Sequence, residues 1–393
     1  MPRWFPPLAP YVRRSSPVCQ ALLLSTFTFC VLLPLCCHRL VYSYYYIKPL
    51  FLDSMSDAAL GRSLRRGQDA LHFWTTKENG DFEELAEHPE LLVTVVTSRR
   101  GEAREFHYLL QVLKRLSELQ SGCGDARRCA HLLVCDVQHG NQENEDAALL
   151  QNHFQVVRRT SRERDADLEF VNTFEREKRD YVFCLRKGRE LTRAKHTVVL
   201  EDDALPKRDF FHVVRHLLSR TFARDTLYVK LYHPERLQRY VNPEPYRLLE
   251  WAGLGSVLAT ALLLALPLCG RLNVSFSLSR AHLLFFTLYF MAAAELFGRH
   301  YLLELRRASP QLYAVSPATE CCTPAMLFPG NSSQRAADAL DAAFCASGNA
   351  KDLVLYRALR ATGERAHSLE PNLITHIGAF SSVRQNPARP RLL

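Results

Sequence analysis

The 393-residue sequence lacks several patterns that mark common classes of protein. None of its twelve cysteines stands in a pair of CxxC motifs, so a structural zinc site is not predicted. Lys and Arg total 50 against 41 Asp and Glu, yet these cations form no dense tract and are not interleaved with aromatic residues. Nucleic-acid grooves need those features, so nucleic-acid binding is not predicted. The excess of cations indicates membrane flanks and an anionic substrate instead.

A removable signal peptide is not predicted at the N-terminus. Val18 to Cys37 is an apolar run of about the length that crosses a bilayer. The run is longer than a signal-peptide core, and no clear small-x-small cleavage site follows it. Residues 1–17 carry three arginines and no acid. The sequence therefore predicts an uncleaved anchor over residues 18–41 with a cytosolic N-terminus.

Two further apolar runs, Ala252 to Cys269 and Ala281 to Phe297, stand close together. As helices of 17 or 18 residues they would each cover about 26 Å, close to the thinner membranes of the secretory pathway. We predict a transmembrane hairpin over residues 252–297, whose tight loop with Arg271 and Arg280 faces the cytosol. The alternative is a pair of helices buried in a soluble core.

The remaining polar body alternates between strand and helix patterns, which predicts a doubly wound α/β domain. Residues 42–90 form a predicted lumenal stem with amphipathic helical spacing, and the domain occupies residues 91–251 and 298–393. Residues 139–167 are polar and are predicted to be irregular. The predicted strands are 91–96, 131–135, 197–200, 226–231, 312–315 and 325–328, and the predicted helices are 106–119, 169–189, 210–218, 336–344 and 352–359.

Seven cysteines lie in the polar body, where an oxidising lumen favours disulfides. Cys123 and Cys129 would close a glycine-containing loop, and an odd number leaves one cysteine unpaired. Two glycosylation sequons are present. The one at Asn273 falls in the cytosolic loop of the hairpin and would be unused, whereas the one at Asn331 would be accessible.

Three adjacent acids, Glu201, Asp202 and Asp203, directly follow the buried strand Thr197 to Leu200. Adjacent carboxylates repel one another unless a cation lies among them, and Mg²⁺ or Mn²⁺ takes oxygen ligands and can bridge to a diphosphate. Ligands of open α/β sheets bind beyond the carboxyl ends of the strands. The triplet therefore indicates a metal site, the alternative being a solvated turn that caps the next helix. His376, before a glycine near the C-terminus, suits a further ligand, although a core or capping histidine has the same pattern.

Longer strings of the sequence resemble the post-GPI-attachment GalNAc transferases, Golgi enzymes that add an N-acetylgalactosamine branch to GPI anchors. The resemblance is carried by the strings 37–40, 201–203, 232–238, 242–245, 298–301, 321–329, 363–366 and 370–373. It implies a GT-A-type glycosyltransferase domain split by a transmembrane hairpin, with three spans in all. It also implies UDP-GalNAc as donor and the first mannose of the GPI glycan as acceptor.

Carried over by position, the acidic triplet matches the DXD-like motif of that family. The resemblance implies Asp203 as the direct metal ligand, with Glu201 and Asp202 directed toward the ribose and metal-bound water. The string Pro371 to Gly378 also resembles the Pro-x-Leu-x-x-His-Ile-Gly close of branching GlcNAc transferases, which assigns His376 to the metal or diphosphate.

The general base is predicted to be Asp352, at the start of a helix in the position where related GT-A enzymes place theirs. Glu320 and Glu235 are its rivals, and a helix N-cap is the alternative role for Asp352. Four residues are candidates for the uridine: Thr97 and Arg100 after the first strand, and Lys178 and Asp180, for which ordinary ion pairing is the alternative.

The sequence thus predicts an inverting, Mn²⁺- or Mg²⁺-assisted transferase that acts in the Golgi lumen on GPI-anchored proteins at the bilayer. One alternative is a metal-dependent phosphodiesterase or phosphotransferase, which would need further His and Asp ligands for a second ion. The other is a membrane scaffold without catalytic activity, against which the large polar body argues. The sugar identity rests on the resemblance alone.

Overall fold

The computed structural model describes residues 16–40, 42–47, 57–77, 87–100, 105–123, 129–139, 142–159, 172–233, 245–268, 275–320, 322–381 and 386–387. Glu235, Cys321 and the predicted cytosolic loop with Arg271 and Asn273 lie outside the described residues. The chain divides into two compact units. One comprises Met1–Asp53, Glu235–Leu305 and Arg391–Leu393, and the other Ser54–Pro234 and Arg306–Pro390.

Helices occur in both units. In chain order they are α1 (Pro17–Cys37), α2 (Asp57–Thr76), α3 (Tyr108–Ser121), α4 (Glu145–Leu150), α5 (Thr173–Thr192), α6 (Phe210–Ser219), α7 (Pro245–Ala265), α8 (Arg280–Leu303), α9 (Ser332–Asp341) and α10 (Lys351–Thr362).

The first unit contains the three apolar helices that the sequence predicts. Pro17–Cys37, Leu248–Leu268 and Arg280–Arg299 are each long and apolar enough to cross a membrane. Gly255 of α7 lies where a Cβ atom would come within 2.7 Å of the Thr287 carbonyl oxygen on α8, so the absence of a side chain permits close packing. On α1, the Thr28 hydroxyl lies 2.6 Å from that of Tyr289 on α8.

The second unit is built on one eight-stranded sheet, ordered β3-β2-β1-β4-β8-β6-β9-β7, in which β7 and β8 run antiparallel to the others. Its strands are β1 (Leu91–Thr97), β2 (His131–Asp136), β3 (Gln155–Arg158), β4 (His196–Glu201), β6 (Thr226–Lys230), β7 (Ala314–Pro317), β8 (Ala325–Phe328) and β9 (Arg365–Glu370). Two small ladders pair β5 (Ala204–Pro206) with β10 (Ile374–His376), and β11 (Phe380–Ser381) with β12 (Asn386–Pro387).

Both faces of the sheet are covered, as its continuous apolar strands predict. Val198 and Leu200 of β4 pack into one core with α3 and α6, whereas Val199 packs into a second core with α9 and α10. The strand order reverses between β1 and β4, which pair in parallel with Val96 opposite Glu201. The end of β1 and the acidic triplet therefore meet at the point of an α/β sheet where ligands bind. The predicted α/β fold, with its N-terminal apolar helix and inserted apolar helix pair, is confirmed.

Residues 139–167 are not irregular throughout, so that prediction is wrong. They contain α4, capped by the Asn144 side chain, which accepts a hydrogen bond from the Ala147 amide at 3.4 Å. They also contain β3, which extends the sheet by parallel pairing with β2. Each of these two elements is too short and its surroundings are too polar for the sequence pattern to show it. The strand β3 forms because β2 supplies its hydrogen-bond partners.

The predicted disulfide Cys123–Cys129 is present, and a second joins Cys135 of β2 to Cys184 of α5. Cys322 is also disulfide-bonded, and Cys345 is a buried free cysteine. The second disulfide joins residues that are 49 positions apart in the sequence, because the fold packs α5 against β2.

Candidate active site

The loop after β1 is held directly against the acidic triplet. The Thr97 hydroxyl donates to Oδ2 of Asp202 at 2.9 Å, and the Arg100 guanidinium pairs with Asp202 and, at 2.7 Å, with Oδ2 of Asp203. Thr97 and Arg100 are candidates for the uridine, and the structure shows that their side chains also orient two of the three acids.

Three possible metal ligands converge beyond the end of β4. One ligand atom each of Glu201, Asp203 and His376 lies within 4.8 Å of the others. The short ladder between β5 and β10 brings the distant histidine into place, since it sets His376 opposite Ala204. The Ile377 amide further donates to the Asp203 carbonyl at 2.9 Å, and Nε2 of His376 lies 3.5 Å from Oδ2 of Asp203.

The chemistry of this trio fits a divalent cation. Two carboxylates and an imidazole are suitable ligands for an ion such as Mn²⁺. Oδ1 of Asp203 is buried and accepts no hydrogen bond from any residue that the structure describes, although a buried carboxylate oxygen needs a partner. Gly378 packs so closely against Asp203 that a Cβ atom at position 378 would overlap Oδ2 of Asp203. The residues present therefore suit a metal that Asp203 would bind directly.

The electrostatics of the described residues point the same way. Burial raises the pKa of Glu201 and of Asp202 above their ordinary values, even though Lys351 and Arg100 oppose the shift. Burial also acts to raise the pKa of Asp203, but the charges of Arg100 and His376 outweigh it and hold this pKa below its usual range. A divalent ion bound at the triplet would offset the repulsion among its three carboxylates.

Asp352 lies in the first turn of α10, beside the segment that leads into β8. Its Oδ2 accepts a hydrogen bond from the Cys322 amide at 3.1 Å. The N-cap position of α10 is Ala350, but Oδ1 of Asp352 accepts from the Leu353 amide at 2.9 Å. The carboxylate therefore also binds a free amide of the first helical turn, which is the alternative role that the sequence left open. Its rival Glu320 acts on the same lysine. Burial lowers the pKa of Lys230 to about 8, and the negative charges of Asp352 and Glu320 oppose this shift.

Lys178 and Asp180 are residues of α5, and the side chains of both form ion pairs. Lys178 Nζ lies 2.8 Å from Glu175 and donates to the Ala343 carbonyl at 2.9 Å. Asp180 pairs with His139 and Arg159, each at 2.8 Å. Both side chains are buried in these pairs. This is the ordinary pairing that the sequence left as the alternative to uridine binding.

A cavity of about 340 Å³ opens beside the triplet at the end of β1. Its lining includes Thr97, Arg100, His107, Asn144, Asp146 and Asp202. Nδ1 of His107 lies 2.7 Å from Asp146, and this hydrogen bond raises the pKa of His107. Small-molecule sites have volumes of this order.

Sequence reasoning missed three contributors to this site. Tyr232 stacks on His376 with ring centroids 5.9 Å apart, Gly378 packs against Asp203, and Lys351 lies 3.3 Å from Glu201. Gly378 could have been found, since it ends the string that singled out His376. Tyr232 begins one of the strings that carry the resemblance, but no pattern gave a role to Tyr232 or Lys351, because those roles depend on contacts between distant segments.

Comparison with known proteins gives two findings. Residues 91–375 match the family described as GPI-N-acetylgalactosamine transferase PGAP4, a span that includes the acidic triplet and Asp352 and ends one residue before His376. The chain is also similar to a solved structure of the mannosyltransferase PcManGT from Pyrobaculum calidifontis in complex with GDP-Man and Mn²⁺, at 17% identity and a TM-score of 0.25. That similarity covers 47% of this chain and 46% of the mannosyltransferase, so it spans just under half of either protein. Because the family match covers well over half of the sequence, the chain belongs to the GPI-N-acetylgalactosamine transferase family.

Proposed function

We propose that the chain transfers GalNAc from UDP-GalNAc to the first mannose of GPI anchors, with inversion at the anomeric carbon and with Mn²⁺ or Mg²⁺. The observation that carries this proposal is the convergence of Glu201, Asp203 and His376 at the point where the strand order reverses. Family membership supports the sugar and the acceptor. The three apolar helices support a membrane enzyme that meets lipid-linked acceptors. The proposal further places the N-terminus in the cytosol, because residues 1–17 carry three arginines and no acid, and the catalytic domain in the Golgi lumen.

The cavity at the end of β1 is the proposed nucleotide site. Thr97 and Arg100 line it and also contact the acidic triplet, so the cavity adjoins the proposed metal site. Asn144 donates to the Thr97 hydroxyl at 3.3 Å and fixes that wall of the cavity. Asp180 would act indirectly, by holding α5 against the loop with His139. Lys178 would do so by joining α5 to the Ala343 carbonyl.

Asp203 and His376 would hold the metal ion, with Glu201 and Asp202 beside it. When bound, the ion would neutralise the charge that develops on the departing diphosphate. The chain itself supplies the orientation. Arg100 fixes the carboxylates of Asp202 and Asp203, and the Ile377 amide fixes the Asp203 backbone.

Asp352 is the proposed general base. A carboxylate within hydrogen-bond reach of the mannose hydroxyl accepts its proton as the oxygen attacks the anomeric carbon. The bond from that carbon to UDP breaks on the opposite face, UDP leaves with the electron pair, and the configuration inverts. The Cys322 amide orients the Asp352 side chain for this step.

The test is turnover of UDP-GalNAc by the purified full chain with a GPI glycan as acceptor. Asp203→Ala should lower transfer about 100-fold or more, because it removes a direct ligand of the ion, and should leave the protein folded. Asp352→Asn should lower kcat and leave the affinity for UDP nearly unchanged. Asp338→Asn is the matched control, since this exposed carboxylate pairs with Arg186 on the surface.

The proposal fails if the Asp203→Ala chain still adds GalNAc at the wild-type rate. In cells that lack the chain, mass spectrometry of GPI glycans should show loss of the GalNAc branch, and re-expression should restore it. A phosphodiesterase would instead need a second metal site. Among the described residues, one group has metal-ligand spacing, the trio of Glu201, Asp203 and His376.

A further inference from the structure

Lys351, the first residue of α10, has a buried ammonium group directed at the end of β4. Its side chain is 6% exposed. Nζ pairs with Glu177 of α5, lies 3.3 Å from Oε1 of Glu201, and lies 5.3 Å from the centre of the Tyr181 ring. A buried ammonium group is strongly restrained when two carboxylates and an aromatic face surround it.

A second connection joins α10 to the end of β4 through hydrogen bonds to backbone groups. The Asp352 carboxylate accepts from the Cys322 amide at 3.1 Å, and the Glu201 amide donates to the Pro324 carbonyl at 2.8 Å. The short segment from Cys322 to Pro324 therefore links the proposed base to the end of β4. Lys351 adds a charged bridge next to this segment, one residue from the base.

We propose that Lys351 is a positioning residue that locks the first turn of α10, and with it Asp352, to the metal-binding end of β4. This inference rests on the proposed function, since it takes Asp352 as the base. A base must lie within hydrogen-bond reach of the proton that it removes. A misplacement of about 1 Å can cost on the order of 100-fold in rate, so the bridge matters for kcat rather than for donor binding.

The first experiment compares Lys351→Met with Lys351→Arg in the full chain. Methionine has a similar length without charge and should lower kcat roughly 10- to 100-fold, as removal of a supporting contact does. The KM for UDP-GalNAc should change by less than about threefold, because neither Lys351 nor its partner Glu201 lines the cavity proposed for the nucleotide. Arginine keeps the charge between Glu177 and Glu201 and should recover part of the lost kcat. The inference is overturned if methionine leaves kcat at the wild-type value, or if both variants lose activity only in proportion to lost folded protein.

Arg186→Gln is the control for the loss of an ion pair on α5, the helix that carries Glu177, the partner of Lys351. Arg186 of α5 pairs with Asp338 and Asp341 of α9, and its side chain is 44% exposed. It touches neither the acidic triplet nor α10 through these pairs. This variant should keep the wild-type kcat and KM.

Hydrogen exchange separates this inference from the proposed function, because exchange does not require sugar transfer. In Lys351→Met, amides in the first turns of α10, such as that of Val354, should exchange about tenfold faster, and those of α9 should be unchanged. If this change appears while Asp352→Asn keeps full activity, the bridge exists but the base assignment fails. Unchanged exchange at α10 would overturn the inference whatever the chain transfers.

Discussion

Gly378 provides a strict test of the candidate metal site. A Cβ atom at this position would overlap Oδ2 of Asp203 and lie 2.9 Å from its Cγ and 3.1 Å from the Arg100 guanidinium. Ordinary carbon contacts begin near 3.4 Å. The overlapped carboxylate oxygen would therefore have to retreat by roughly 1.4 Å, or the loop that carries His376 would have to retreat by the same distance.

The surroundings of Asp203 leave little room for that retreat. The side chain is buried, pairs with Arg100 at 2.7 Å, and its backbone carbonyl accepts from the Ile377 amide. Any shift changes the geometry of Asp203 and His376, the proposed metal ligands. A displacement of about 1 Å in such a site costs on the order of 100-fold in kcat. The stability cost of the extra methyl group should be about 1–3 kcal/mol, which is less than a typical folded domain can lose before it unfolds.

The assay is Mn²⁺-dependent transfer from UDP-GalNAc by Gly378→Ala, together with thermal unfolding of the same preparation. Gly61→Ala is the matched control, because a Cβ atom at Gly61 of α2 meets nothing within 4 Å. That variant should keep full activity and gain about 0.5–1 kcal/mol, since alanine is the better helix former. A folded Gly378→Ala enzyme with the wild-type rate would refute the placement of Asp203 as a metal ligand.

Two further predictions concern stability. The hydrogen bond to Asp146 raises the pKa of His107, so this pair stabilises the fold fully below about pH 6.5 and loses its contribution as the pH rises through the raised value. Asp146→Asn should therefore lower the thermal midpoint more at about pH 5.5 than at about pH 9, and an equal drop at both would contradict the pairing. By loop entropy, the Cys135–Cys184 bridge with a separation of 49 should stabilise by about 4 kcal/mol and the Cys123–Cys129 bridge with a separation of 6 by about 2 kcal/mol. Paired serine substitutions compared by chemical denaturation should preserve that order, and the reverse order would show that loop length does not govern how much each bridge stabilises the fold.

Local composition alone determined the three apolar helices and most strands of the sheet. The run from Leu91 to Val96 and the run from Thr197 to Leu200 consist of aliphatic residues and threonine without polar alternation, and both form central strands. A strand buried on both faces leaves this signature without reference to its neighbours. The acidic triplet was equally visible, because its position after such a strand is a property of the sequence itself.

Tertiary structure decided which distant groups meet. The ladder between β5 and β10 sets His376 beside Asp203, the reversal of strand order sets Arg100 on the triplet, and Lys351 reaches Glu201 from another helix. These contacts join segments about 100 to 170 residues apart in the printed sequence. Residue type and periodicity describe which face of an element is buried, but they do not specify which side chain lies opposite. That choice follows from the packing of the whole sheet with its helices.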